Sequence, residues 1–171
     1  TNYFSWLGQS TVLLSVDGIN IIFDPIFSMR ASPFSFIGPK RRIPLIIEIA
    51  ELPKIDYVFI THNHYDHLDI PSLKTIQKYN PEIIFYVPLG DKDILESYSI
   101  NNIKEFDWWE MYSNENMSIT FVPTKHWSAR GFFDRNRCLW GGWAIQTEDK
   151  SFLHIGDTGY DVKFRDYRDK I

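Results

Sequence analysis

Short apolar runs separated by turn residues are the main pattern along the chain, and they predict more strands than helices. Asp17-Gly18 lies between apolar runs at 6–16 and 19–24, which is typical of a β-hairpin with a type I′ turn. Later runs also predict strands, the last two of them paired through Glu148-Asp149-Lys150: 55–60, 83–87, 103–109, 117–122, 139–147 and 151–155.

Helical spacing occurs in two places. Residues 69–79 fit a helix with Asp69 as its N-cap, and residues 91–98 place apolar side chains on one helical face. Residues 45–52 fit a short helix and an apolar strand equally well. Residues 25–44 contain four prolines and no periodicity, which predicts a long loop of the kind that often carries function. Interleaved strands and helices indicate an α/β fold class with mixed sheets.

The composition fits one globular domain over residues 1–171, because the chain is long enough for a real core and 44% of its residues are hydrophobic. The formal net charge of −4 gives no reason to expect nucleic acid as a partner. Cys138 is the single cysteine, which favours a reducing, cytoplasmic compartment. We interpret Cys138 itself as an ordinary strand-entry residue. No apolar run reaches the length of a transmembrane segment, about 18 residues.

A dense histidine cluster follows the strand predicted at 55–60. His62, His64 and His67 are three of the five histidines in the chain, and Asp66 lies among them. Imidazole and carboxylate groups are ligands for zinc and similar divalent metals, and loops at strand ends commonly carry chemistry. The cluster therefore predicts a metal site. The alternative is a polar loop whose histidines only cap and hydrogen-bond.

The spacing within the cluster favours two metal ions. Residues i and i+2 of an extended segment point the same way, so His62 and His64 can bind one ion together. A turn after His64 would direct Asp66 and His67 towards a neighbouring position. Two ions roughly 3.5–4 Å apart suit hydrolysis, because a shared water becomes hydroxide near neutral pH.

Two later segments supply further candidate ligands. His126 follows the strand predicted at 117–122, and Asp157 follows the strand predicted at 151–155. Each residue alone is more often structural, and the histidine cluster raises the weight of the metal interpretation for both. His154 lies three residues before Asp157, where strand alternation puts its side chain on the opposite face, so we expect it to be structural.

With these ligands placed, the chain resembles the metallo-β-lactamase fold superfamily. The hallmark His-x-His-x-Asp-His matches residues 62–67 without departure. The closer resemblance is to the branch of N-acylphosphatidylethanolamine-hydrolysing phospholipase D and its bacterial relatives. Blocks that support it run through nearly the whole chain in family order: 6–11, 24–28, 38–41, 61–69, 107–110, 126–130, 139–143 and 156–160.

The resemblance implies an αβ/βα sandwich, of which this chain covers the first half and the start of the second. It also implies a zinc-dependent hydrolase that cleaves a phosphodiester with a metal-bridging hydroxide, with Asp66 and Asp157 as catalytic carboxylates. Two zinc ions are implied, with these ligands: His62, His64 and His126 for one, Asp66 and His67 for the second, and Asp157 between both.

The family has one more zinc-ligand histidine in a downstream His-Trp-Gly segment, and this chain ends at Ile171 before such a segment. We therefore expect a truncated domain in which the first zinc binds better than the second and activity is low. An uncovered apolar sheet face drives association. We accordingly expect the chain to associate with itself or with a partner.

Several residues near the predicted site are candidate substrate contacts. Lys40, Arg41 and Arg130 are candidates for neutralising a phosphate, and each is equally an ordinary surface cation. Tyr65 and Trp127 are candidate contacts for a small-molecule or phospholipid-like substrate, although core packing explains a tryptophan more simply. Peripheral membrane contact is a further expectation. The alternatives are a lactonase or another hydrolase of the superfamily, and an inactive fragment or metal-binding interaction module.

Overall fold

Ten strands and three short α-helices are found in the computed structural model, which describes residues 1–34 and 36–171. The strands of the first sheet are β1 Tyr3–Gly8, β2 Thr11–Val16, β3 Ile19–Phe23, β4 Tyr57–Phe59, β5 Ile84–Pro88 and β6 Ile103–Phe106. Those of the second are β7 Met111–Ser113, β8 Ser118–Pro123, β9 Gly141–Gln146 and β10 Ser151–His154. The helices are α1 Ile70–Tyr79, α2 Lys92–Ser97 and α3 Tyr167–Lys170, with 3₁₀ segments at Ile49–Glu51 and Val162–Asp166.

The predicted hairpin between β2 and β3 is confirmed. The two strands pair antiparallel, and Asp17 and Gly18 have φ angles of 51° and 86°, as a type I′ turn requires. The single strand predicted over residues 6–16 is wrong, because the chain reverses after Gly8. Gly8 and Gln9 have φ angles of 107° and 51°, and this turn lets β1 pair antiparallel with β2.

The first sheet is parallel from β3 to β6, and helices cover its outer face. Leu73 and Ile76 of α1 and Leu95 of α2 belong to the apolar cluster on that face. Helix α1 begins after Asp69, as predicted. The Asp69 carboxylate accepts hydrogen bonds from the backbone N–H of Ser28 at 3.1 Å and from its hydroxyl at 2.9 Å. The N-cap residue therefore anchors the long loop that precedes the cluster.

The second sheet is antiparallel in the order β10-β9-β8-β7, and its inner face packs against the first sheet. Trp143 of β9 is fully buried there, with ring centroids 5.0 Å from Phe59 and 4.6 Å from Phe121. Its indole N–H donates to the carbonyl of Ile60 at 2.8 Å. The aromatic core thus joins β9 directly to the end of β4, where the histidine cluster begins.

The layer order is helices, first sheet, second sheet and a partial helical cover. Val122 and Ala144 on the outer face of the second sheet pack with Tyr167 of α3, while Leu153 of β10 remains 47% exposed. This arrangement confirms the predicted α/β sandwich. Association through the outer face of the second sheet stays a prediction.

Some predicted boundaries change because turns intervene. The strand predicted over 103–109 ends at Phe106, since Trp109 adopts a φ of 67° in a turn. Strand β7 follows that turn and was not predicted, because three residues are too few for a period to show. The ambiguous segment 45–52 contains only the 3₁₀ turn Ile49–Glu51. No helix among the described residues is both long and apolar enough to cross a membrane.

Candidate metal centre

Three loops at strand ends meet at one edge of the sandwich. The loop after β4 carries residues 62–67, the loop after β8 carries His126, and the loop after β10 carries Asp157. Gly156 permits their close approach: its φ is +55°, and a Cβ there would lie 2.6 Å from the Thr61 hydroxyl oxygen. A larger residue at 156 would therefore push the Asp157 loop away from the cluster.

Three imidazoles form the first donor group. Nδ1 of His64 lies 2.9 Å from Nε2 of His62 and 3.2 Å from Nε2 of His126. The Thr61 hydroxyl contacts Nδ1 of His62 at 3.0 Å, so Nε2 of that ring is the atom presented to the group. Three ring nitrogens that converge at such distances have the chemistry of a divalent-metal site.

The second donor group consists of His62, His67 and Asp157, whose ligand atoms lie within 4.8 Å of one another. Nε2 of His67 lies 3.4 Å from Oδ1 of Asp157. Asp66 stands at the border of this group, with Oδ2 at 3.9 Å from Nε2 of His67. The six predicted metal ligands therefore share one site, with Asp66 farther from its neighbours than the other five.

Asp24 orients His67 from behind. Its fully buried carboxylate accepts hydrogen bonds from Nδ1 of His67 at 2.8 Å, and from the backbone N–H and the hydroxyl of Thr61 at 2.8 and 2.7 Å. With Nδ1–H donated to Asp24, Nε2 of His67 faces the donor group. A carboxylate behind a histidine is the usual means of fixing the tautomer of a metal ligand.

The turn between β1 and β2 holds Asp66 in place. The Gln9 side-chain amide donates to Oδ2 of Asp66 at 3.2 Å, and the Ser10 hydroxyl donates to the Asp66 carbonyl at 2.6 Å. The chain reversal that divides the predicted first strand thus places two polar side chains on the loop of residues 60–69, which we call the metal loop because it carries four of the six candidate ligands.

The two donor groups differ in charge. Burial, reinforced by the neighbouring imidazoles, lowers the pKa of His62 to about 3, and burial also lowers the pKa values of His64 and His126. For His67, burial acts against the charged form, but Asp24 and Asp157 outweigh it and raise its pKa to about 10. The hydrogen bond from His67 in turn lowers the pKa of Asp157 to about 2. The first group is therefore neutral at pH 7, whereas His67 retains a proton there.

A cavity of about 640 Å³ opens beside the donor groups. The metal loop contributes His64, Tyr65 and Asp66 to its wall, and Trp127 lies next to them. The remaining wall comes from the turn after β1 and from the loop after β3: Gln9, Ile26, Ser28, Met29, Ala31, Pro39, Lys40, Arg41, Arg42 and Ile43.

Four of the five predicted substrate contacts line the cavity, and the fifth, Arg130, is not among the described residues that do. Lys40, Arg41, Tyr65 and Trp127 line the cavity, but the guanidinium of Arg41 also donates to the backbone carbonyls of Ile26 and Ser28. The described residues around the cavity do not include Arg130.

The Arg130 guanidinium is directed into the protein. Its Nη1 donates to the carbonyls of Asn63 and Leu68, both at 2.8 Å, and its Cζ lies 4.1 Å from the centroid of the Tyr65 ring. The predicted phosphate contact from Arg130 is therefore replaced by a contact to the metal loop.

His154 lies behind the site, although strand alternation placed it on the opposite face. Its ring stacks on Phe23 at 4.5 Å, and Nε2 lies 3.7 Å from Oδ2 of Asp24. Gly156 has a positive φ and bends the backbone after β10, so strand alternation does not predict the relative directions of the side chains at 154 and 157. His154 is outside both donor groups found among the described residues.

Residues 19–166 match the family model described as the beta-lactamase superfamily domain. The chain belongs to this superfamily. It is 37% identical over 179 residues to N-acyl-phosphatidylethanolamine-hydrolyzing phospholipase D 1 of Caenorhabditis elegans, covering 99% of this chain and 50% of that protein. It is also 37% identical over 164 residues to the mitochondrial N-acyl-phosphatidylethanolamine-hydrolyzing phospholipase D of Saccharomyces cerevisiae, covering 92% and 34%. The chain spans half or less of the length of these two relatives.

Solved structures show the same fold. The diiron β-hydroxylase CmlA of Streptomyces venezuelae superposes with a TM-score of 0.72 at 21% identity, covering 99% of this chain and 32% of that one. Igni18, a metallo hydrolase of Ignicoccus hospitalis, superposes with a TM-score of 0.67 at 20% identity, covering 95% and 63%. Together with the family match, these likenesses confirm the resemblance inferred from the sequence motifs.

Sequence reasoning assigned no role to several residues that support the site. Asp24 had a visible signal, since it is an aspartate directly after a buried apolar strand. Gln9 had no such signal, because the turn that directs its side chain towards Asp66 lies inside an apolar run that predicts one continuous strand. Asn63 and Asp91 are joined by a hydrogen bond of 3.0 Å across 28 residues, a pairing that a single sequence does not display. Burial raises the pKa of Asp91 to about 7.

Proposed function

We propose that this chain carries the metal centre of a dinuclear zinc hydrolase that cleaves phosphodiesters of phospholipid-like molecules. The observation that carries the proposal is the pair of donor groups, joined through His62, at the wall of an apolar cavity with cations at its rim. The names of the worm and yeast relatives, both phospholipases D, support the same substrate class.

His62, His64 and His126 would hold the first zinc ion, and Asp66 and His67 the second. Asp157 would contribute to both, since its two carboxylate oxygens lie 3.4 Å from Nε2 of His67 and 3.8 Å from Nε2 of His126. When bound, two such ions supply a nucleophile from water at neutral pH and stabilise negative charge on the phosphoryl and leaving oxygens. Nitrogen donors suit zinc well, and mixed nitrogen and oxygen donors suit it too. The first group, with three nitrogens, is expected to bind more tightly than the second.

Three carboxylates have separate roles beside the metal positions. Asp24 keeps Nδ1 of His67 protonated and Nε2 directed at the site. Asp66 is held by Gln9 through one carboxylate oxygen and faces the cavity, so its other oxygen is placed to accept a proton from the attacking water. Asp157, half exposed and with its pKa lowered, stays ionised throughout the neutral range.

The cavity wall fits a substrate with an apolar part and an anionic centre. Ile26, Met29 and Trp127 supply apolar surface, while Lys40 and Arg42 lie on the same wall. A phosphodiester with a lipid substituent would place its charge between the donor groups and these cations. We propose cytoplasmic localisation, peripheral membrane contact and self-association as properties to be tested with the activity.

A hydrolysis screen tests the proposal. The zinc-loaded chain is presented with glycerophosphodiesters, N-acylated phospholipids, lactones and β-lactams, and His126→Ala serves as the matched inactive control. Turnover of phosphodiesters that the control lacks supports the proposal. Turnover of lactones or β-lactams alone contradicts the substrate class, and stoichiometric zinc without turnover of any substrate contradicts hydrolysis by this chain.

A further inference from the structure

Asp91 is a fully buried carboxylate at the N-cap position of α2, yet it does not cap that helix. Within the described part of the chain its side chain makes no capping hydrogen bond. Glu105 of β6 performs that task instead, since its Oε1 accepts from the backbone N–H of Gly90 at 2.8 Å and of Lys92 at 2.9 Å. The carboxylate of Asp91 therefore does not accept the backbone N–H hydrogen bond that an N-cap aspartate usually accepts.

The Asp91 carboxylate reaches the metal loop. Oδ1 of Asp91 accepts a hydrogen bond of 3.0 Å from the side-chain amide of Asn63. Asn63 is only 2% exposed and lies between His62 and His64. The side chains at 62 and 64 converge, so the side chain at 63 points away from the site, and Asp91 is the group that holds it there.

The backbone of the same residue is held from another element. Nη1 of Arg130 donates to the carbonyl of Asn63 and to the carbonyl of Leu68, so one guanidinium bridges both ends of the metal loop. Arg130 lies four residues after His126. Asn63 is therefore fixed through its side chain by Asp91 and through its carbonyl by the loop that supplies the third imidazole.

We propose that Asp91 is a positioning residue that, through the amide of Asn63, holds His62 and His64 in the alignment that binds the first metal ion. The inference rests on the proposed metal site. Burying a carboxylate costs free energy because the group loses its hydration. Asp91 neither caps its helix nor contacts a ligand, so holding the metal loop in shape would explain why a carboxylate is buried there. Supporting partners behind metal ligands commonly act in this way.

Metal titration of five variants tests the bond from both of its ends, and one of the five combines Asp91→Ala with Asn63→Ala. Asp91→Ala and Asn63→Ala each remove it, and Asp91→Asn keeps an acceptor oxygen in the same place. Asn80→Ala is the matched control, because Asn80 is also buried and accepts from the backbone N–H of Ile55 at 2.8 Å, away from the site. The probe is Co²⁺, followed by its visible absorption and by competition with a chelator, alongside thermal unfolding of the metal-free protein.

We expect Asp91→Ala and Asn63→Ala each to weaken Co²⁺ binding about tenfold, the lower end of the effect of outer partners, and to alter the absorption spectrum. The double variant should lose no more than Asp91→Ala alone, since Asp91→Ala already removes the bond to Asn63 together with the hydrogen bond between Asp91 and the Cys138 thiol. Asp91→Asn should match the wild-type spectrum and affinity. Asn80→Ala should lower the unfolding temperature and leave Co²⁺ binding unchanged. If one alanine variant does not fold, the other tests the same bond.

Two results would overturn the inference while leaving the metal site intact. One is wild-type Co²⁺ affinity and spectrum in both alanine variants, even with lowered stability. The other is a defect in Asp91→Asn as large as that in Asp91→Ala, which would mean that charge and not the hydrogen bond matters. A wild-type chain that binds no Co²⁺ would overturn the metal site and this inference together.

Discussion

The two donor groups of the candidate centre differ in the pKa values of their histidines, which are lowered in the first group and raised for His67 in the second. The first collects three buried or half-buried imidazoles whose pKa values are lowered, so that their nitrogens are free for a cation at neutral pH. The second sets His67 between the carboxylates of Asp24 and Asp157, which raises its pKa to about 10. One group is ready for a metal as it stands, and the other must release a proton first.

Because of this difference, we expect metal affinity and catalytic turnover to depend on different positions. A site of neutral nitrogens binds a divalent ion with little dependence on pH, whereas a site that exchanges a proton for a metal is sensitive to pH and to its supporting carboxylate. The second position also includes Asp157 and Asp66, the carboxylate that we propose accepts a proton from the attacking water. We therefore expect the first ion to be structural in character and the second to control turnover.

The largest effect is expected from the histidine that both groups share. His62→Ala should abolish binding at the first position, where its Nε2 lies beside Nδ1 of His64, and weaken the second position, whose candidate ligands it also borders. Zinc content after dialysis measures this, with His126→Ala as the comparison that should empty only the first position. If His62→Ala retained one tightly bound zinc, as His126→Ala should, His62 would not support the second position.

Asp24→Asn should weaken the second position by about 10–100-fold, as expected for the loss of an outer carboxylate partner of a histidine ligand. The amide cannot replace the carboxylate that accepts from His67 and Thr61 together. Stepwise zinc titration would show a weakened second step with the first step unchanged. Equal weakening of both steps would mean that Asp24 supports the whole loop and not His67 alone.

Raising the pH from 6 to 8 should strengthen binding at the second position by about tenfold per unit, because one proton must leave His67 for each ion bound. The sign follows from the raised pKa of His67: below about pH 10 the proton is present and competes with the metal. At the first position the pKa of His62 is about 3 and the pKa values of His64 and His126 are lowered, so the affinity of this position should depend much less on pH over this range. Calorimetry in buffers of different ionisation enthalpy counts the released protons, and a pH-independent second step would contradict the assignment.

The smallest effect is expected at the cavity rim. Replacing both Lys40 and Arg42 with alanine should raise KM for an anionic phosphodiester by only a few-fold, about the scale of exposed ion pairs, and leave zinc content unchanged. The increase should shrink as salt is added. A loss of zinc in this double variant would show that the loop after β3 supports the centre and does not merely border it.

The ligand residues could be predicted from the sequence because each follows an apolar strand. Strands β8 and β10 both pair antiparallel with β9, so their ends lie at the same edge of the second sheet, where the end of β4 meets them. The α/β class followed from the same runs. The turn at Gln9 was not predictable, since it interrupts an apolar run without a proline or an Asn-Gly pair. The inward direction of Arg130 and the pairing of Asp91 with Asn63 depend on contacts between distant segments, and local pattern contains no information on these.

The most direct test of the central claim is anomalous diffraction at the zinc edge from crystals of the zinc-loaded chain. The account predicts two peaks roughly 3.5–4 Å apart, one bounded by His62, His64 and His126 and the other by His67 and Asp157. A single peak remote from these side chains, or none in a crystal grown with excess zinc, would contradict it.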